Sequence, residues 1–106
     1  MIQPEIYKIA DDYIAELERE QQEEIAKVQE LQDFWCQNFP KAAYMPPDKR
    51  FLWWVRTYDV RLLKYAIGIA TTNLSQHLSS VRIGKYVSAV CRNVQAEAAR
   101  TQRGAA

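Results

Sequence analysis

At 106 residues, with 48% apolar residues, three glycines and four prolines, the chain is sized for one folded domain and excludes a collagenous or low-complexity composition. The formal net charge of +1 conceals two opposite blocks: eleven acidic and four basic residues from Met1 to Asp48, then ten basic and two acidic from Lys49 to Ala106. Such an asymmetry points to a partner of one sign, and no catalytic or metal-ligand signature accompanies it.

The first predicted element is a long acidic helix from Pro4 to Asn38. Pro4 suits a first helical turn, and Ile6, Ala10, Tyr13, Ile14, Leu17, Ile25, Val28, Leu31 and Trp35 recur mostly at three- and four-residue steps. Its middle, Glu18 to Glu24, holds no apolar residue. The helix therefore either breaks there or is a solvated shaft between two apolar ends that different surfaces bury. Pro40, Pro46 and Pro47 then mark a hinge over residues 39–47, because each lacks an N–H and pushes its predecessor out of helix.

A second helix follows Pro47, with Asp48 placed to accept from its first free N–H groups, and ends near Tyr58. Asp59 caps a third, from Val60 to about Leu74. That helix is apolar around more than half its girth (Leu62, Leu63, Ala66, Ile67, Ile69, Ala70), which makes it the central core helix. Ser79 or Ser80 caps a fourth, from Val81 to about Ala99 or a little further. The expected architecture is all-α. Residues 1–38 form a dimerisation or packing arm, 48–100 a compact three-helix bundle, and 101–106 a frayed tail.

Projected at about 100° per residue, the fourth helix separates two faces. Ile83, Val87, Val90, Cys91, Val94 and Ala98 gather on one side; Arg82, Lys85, Arg92, Arg100 and Arg103 gather opposite. Three readings of this basic ridge stand: a solvated outer face, a phosphate-binding surface for DNA or RNA, and pairing with the acidic first helix within the chain or across a dimer. In the second helix, Phe51, Trp53 and Trp54 are too dense for one face to hide. Phe51 and Trp54 belong in the core, where the first helix also covers Trp53, unless Trp53 looks outward beside Arg50, Arg56 and Arg61 and stacks on a base.

Catalysis finds little footing. His77 is the only histidine and has no acidic neighbour in sequence to orient it. Cys36 and Cys91 read as packing residues of a reducing compartment and, with one histidine, make a poor zinc set. Isolated Gly68 and Gly84 build no phosphate-cradling loop. The expectation is a non-enzymatic cytoplasmic protein without cofactor or metal. Neither a signal peptide nor a membrane span is read, since the longest uncharged run, Tyr65 to Val81, carries many polar groups.

The stretch from Val60 to Val94 resembles the C-terminal helical module of DnaD-type replication-initiation proteins. The resemblance rests on Leu63, Ala66-Ile67 and Ala70, a polar connector, and then Lys85-Tyr86-Val87-Ser88-Ala89-Val90. Tyr86, Val90 and Val94 stand where the module has Tyr-x-x-x-Ile-x-x-x-Trp, with Val94 in place of the tryptophan, and the first helix has no counterpart. The resemblance covers about a third of the chain. It implies DNA binding and scaffolding in replication, with the basic C-terminal end near DNA. The alternative expectation is a protein-interaction or oligomerisation domain acting through the acidic first helix.

Overall fold

The computed structural model describes residues 4–40, 45–74 and 78–104, with side chains described for 7–40, 45–74 and 78–102. Among the described residues the chain is all-α, with four helices: α1 (Pro4–Asn38), α2 (Asp48–Thr57), α3 (Val60–Asn73) and α4 (Ser80–Gly104). His77, Ser75 and the Arg103 side chain lie outside the described residues.

α1 runs unbroken through Glu18–Glu24. Glu, Gln and Arg are good helix formers, so this stretch continues as a solvated shaft without burying anything. The two apolar ends of α1 then meet different fates. Val28, Leu31, Trp35 and Phe39 join the core, whereas every residue from Tyr7 to Glu23 is exposed.

α2 starts without the expected cap. Pro47 holds the N-cap position, and its carbonyl accepts from the N–H groups of Arg50 (2.9 Å) and Phe51 (3.4 Å). Asp48 is instead the first helical residue, and its carboxylate accepts from Gln32 Nε2 at 2.8 Å, which ties α2 to α1. Asp59 caps α3 as its position predicts, accepting from the Arg61 N–H at 2.8 Å. Ser79 does the same for α4, accepting from the Arg82 N–H at 3.3 Å. α4 extends to Gly104, so positions 101–104 are helical where fraying was expected. Ala96, Ala98 and Ala99 favour helix there, and Glu97 anchors Arg100 and Thr101 one turn on.

α3 sits at the centre, packing on both α1 and α4, and buries Leu63, Ala66, Ile67 and Ala70. Around it close Leu31, Trp35, Phe39, Phe51, Trp54, Ile83, Val87 and Cys91. Trp35 organises the aromatic part, 4.9 Å from Phe39 and edge-on to Phe51 at 6.1 Å between ring centroids. Its Nε1 is buried without a hydrogen-bond partner among the described residues, a cost of about 1–3 kcal/mol that the buried ring offsets. Cys36 departs from its expected packing role: it is exposed at the end of α1, beside Met45, while Cys91 is fully buried.

The molecule is long and flat, 65 × 44 × 17 Å, with a radius of gyration of 18.7 Å. A compact chain of this length has about 13 Å. The difference comes from the first two-thirds of α1 and from α4 beyond Cys91, both of which project past the core.

Candidate nucleic-acid interface

α2 and α4 approach through one side chain. The Trp54 ring is fully buried, its Nε1 donates to Ser88 Oγ at 2.9 Å, and its Cη2 and Cζ2 lie 3.7 Å from where a Cβ on Gly84 would stand. Gly84 and Ser88, one helical turn apart, thus form a notch of small residues that receives the indole. The seated ring fixes the spacing of the two helices and leaves a shallow groove of about 320 Å³ between them, lined by Arg50, Trp53, Lys85, Ser88 and Arg92.

Trp53 is the neighbour of Trp54 and points the other way. It is 46% exposed, with the Arg50 guanidinium 5.7 Å from its ring centroid and Tyr58 edge-on at 5.9 Å. α1 does not hide it, contrary to the covered placement expected for this ring. Of the three aromatics in α2, Phe51 and Trp54 fill the core and Trp53 is the outward one.

Lys85 and Arg92 line the groove opposite Arg50 and Trp53. Arg82 is exposed but lies outside the groove, about 60–80° further round α4. Among the described residues, Arg50, Arg82, Lys85 and Arg92 have no carboxylate within ion-pair distance. Arg100 differs: it holds Glu97 of the same helix at 2.7 Å and stands about 12 Å beyond Arg92 along the axis.

The acidic first helix spends its pairing elsewhere. Glu24 takes Arg56 of α2 at 2.5 Å, and Glu30 takes Lys64 of α3. The Arg56 guanidinium holds the Glu24 carboxyl below its ordinary value near 4.5, and the carboxylate raises Arg56 in turn. Likewise the Arg61 side chain and N–H lower Asp59. Arg56 and Arg61, grouped in sequence with the aromatics, are therefore committed to carboxylates, whereas Arg50 remains available.

Two members of the groove were not among the site residues read from the sequence. Arg50 had a signal, its three-residue offset from Trp53, which places both on one face of α2. Ser88 and the notch around Trp54 had only the small-residue spacing Gly84–Ser88, which has no meaning until a partner ring is known. A second concavity between α1 and α2, lined by Ile25, Val28, Gln29, Gln32, Lys49 and Leu52, is mostly apolar and gathers no cation set. Among the described residues no group of three His, Cys, Asp or Glu side chains is placed to hold a metal, and no helix is long and apolar enough to cross a membrane.

Comparison with known proteins finds no matching family model, no matching curated relative and no matching solved structure.

Proposed function

We propose that this protein is a non-enzymatic nucleic-acid-binding module that takes a single strand along the α2–α4 groove. The observation that carries the reading is a set of three unpaired cations, Arg50, Lys85 and Arg92, around a half-exposed Trp53, with a fourth, Arg82, further round α4. Cations without carboxylate partners offer their full charge to phosphates, and a flat ring at the groove edge accepts a base of any identity. In this reading Lys85, Arg92 and Arg82 hold the backbone, and Trp53, backed by Arg50, stacks a base. Such contacts position a strand without reading sequence, so binding is weakly specific. Arg100, engaged by Glu97, contributes less. A replication-accessory role fits the DnaD-type resemblance and belongs to the same proposal.

Fluorescence anisotropy of labelled single-stranded DNA and RNA tests it. Three phosphate contacts on a single strand give a slope of log K against log salt of about −2, hence roughly twenty-fold weaker binding at 200 mM than at 50 mM salt. Replacing Arg82, Lys85 and Arg92 with alanine removes most of that slope, and Trp53→Ala costs about 1–3 kcal/mol per stacked base. Affinity unchanged in the triple variant, or no binding at 50 mM salt, removes the proposal.

A further inference from the structure

The exposed part of α1 is an arm with a seam. Tyr7, Ala10, Ile14 and Leu17 follow alternating three- and four-residue steps that continue, through Gln21 and Glu24, into the half-buried Val28 and the buried Leu31 and Trp35. One helix face therefore packs in the core at its C-terminal end and lies bare at its N-terminal end, where Tyr7 is 57% and Ile14 51% exposed. The accessible surface of the whole chain, 8002 Å², exceeds by roughly 1,900 Å² the value of about 6,100 Å² typical of a compact monomer of 12.4 kDa. A standard protein interface needs about 800 Å² from each partner. Enough surface is bare to supply one.

Charge selects the occupant. Between Tyr7 and Glu23 the arm carries six carboxylates and two cations, and the charged positions flanking the seam, Asp11, Glu18 and Glu20, are all acidic. Two such arms side by side would set carboxylate against carboxylate, so the arm rejects a copy of itself. The complementary surface of the molecule is the α2–α4 groove, with Arg50, Lys85 and Arg92 around the exposed face of Trp53. The arm cannot reach the groove of its own chain. It is the rigid continuation of a helix already packed against α2 and α3, and its residues are bare along its length.

We infer that the acidic arm of α1 docks into the basic α2–α4 groove of a second copy of this chain, in a reciprocal dimer. Ile14 and Leu17 cover Trp53, while Asp11, Glu18 and Glu20 face Arg50, Lys85 and Arg92. Because the arm occupies the cations assigned above to phosphates, dimerisation and strand binding exclude one another. The docking itself goes beyond that assignment and stands without it.

Sedimentation velocity of the full chain, with no nucleic acid present, tests the docking. The wild type is expected as a dimer at low salt, its dissociation constant rising at least about tenfold between 0.05 and 0.5 M salt as the charges are screened. Glu18→Lys with Glu20→Lys, and separately Lys85→Glu with Arg92→Glu, each give monomers of unchanged helical content. Mixing the two reversed variants restores a heterodimer. A monomeric wild type at all salt concentrations overturns the inference, as does a dimer that survives the groove reversal, which would place the contact elsewhere. Strand binding is read in a separate titration at protein concentrations below the dimer dissociation constant, where the groove is free, so absence of oligonucleotide binding there refutes only the nucleic-acid reading.

Discussion

Gly84 stands where α4 receives the Trp54 ring, and its replacement by alanine gives a test of how that ring is seated. A Cβ there would meet Cη2 and Cζ2 of Trp54 at 3.7 Å, an ordinary van der Waals contact that displaces nothing. Glycine in a helix interior is less favourable than alanine by about 0.8–1.0 kcal/mol, and each new carbon contact adds only about 0.1–0.2 kcal/mol. Gly84→Ala should therefore stabilise by about 1 kcal/mol, which for a chain of this size raises Tm by about 4–8 °C. Gly68→Ala, where a Cβ meets nothing within 4 Å, supplies the reference for helix propensity alone. Gly84→Leu adds atoms that the notch has no room for. Overpacking of about 1–3 kcal/mol then offsets or exceeds the gain in propensity and pushes Trp54 away from Ser88. Thermal unfolding followed by circular dichroism, at one fixed protein concentration, measures all three. A Tm lowered by Gly84→Ala and raised by Gly68→Ala would refute the seating described here. The same notch sets the groove, so oligonucleotide affinity should be unchanged in Gly84→Ala and weakened in Gly84→Leu.

Ser88→Ala leaves the buried Trp54 Nε1 without its acceptor and should cost about 1–3 kcal/mol in urea unfolding, and less in a Trp54→Phe background. Thiol titration with an aromatic disulfide at pH 8 should count one cysteine in the native protein and two in denaturant. Cys36 is exposed, whereas burial both shields the Cys91 thiol and pushes it up to about 11. The Glu24–Arg56 pair should give an acid-sensitive increment of stability. The folded-state carboxyl is lowered, so the increment is complete above the unfolded value near 4.5 and vanishes as pH falls through the lowered one. Wild type should exceed Glu24→Gln at pH 6 and converge with it as the pH falls below the lowered carboxyl value; a constant difference would mean that the pair does not act through this titration.

Much of this architecture is local and was readable from residue order. Proline placement separates α1 from α2, Asp59 and Ser79 announce the starts of α3 and α4, and the three- and four-residue recurrence of apolar side chains names the buried faces. The unmixed basic ridge of α4 was likewise legible, because one helix period suffices to collect Arg82, Lys85 and Arg92. Asp48 shows where local rules fail: a capping residue was in place, but Gln32 of α1 offered its carboxylate a hydrogen bond and Pro47 took the cap position.

What the order of residues could not decide is anything that needs two helices at once. The density of aromatics in α2 puts Phe51 and Trp54 in the core but leaves Trp53 either covered by α1 or facing outward, and only the packing of the helices leaves that ring 46% exposed at the groove. Charge counts along the chain leave every arginine equivalent, yet the pairing of Arg56 with Glu24 and of Arg61 with Asp59 removes two from circulation and leaves Arg50 facing Lys85 and Arg92. The physical reason is one of range. Helix propensity, capping and amphipathic pattern act within about one turn, whereas which side chains share a groove depends on the distance between elements that lie tens of residues apart.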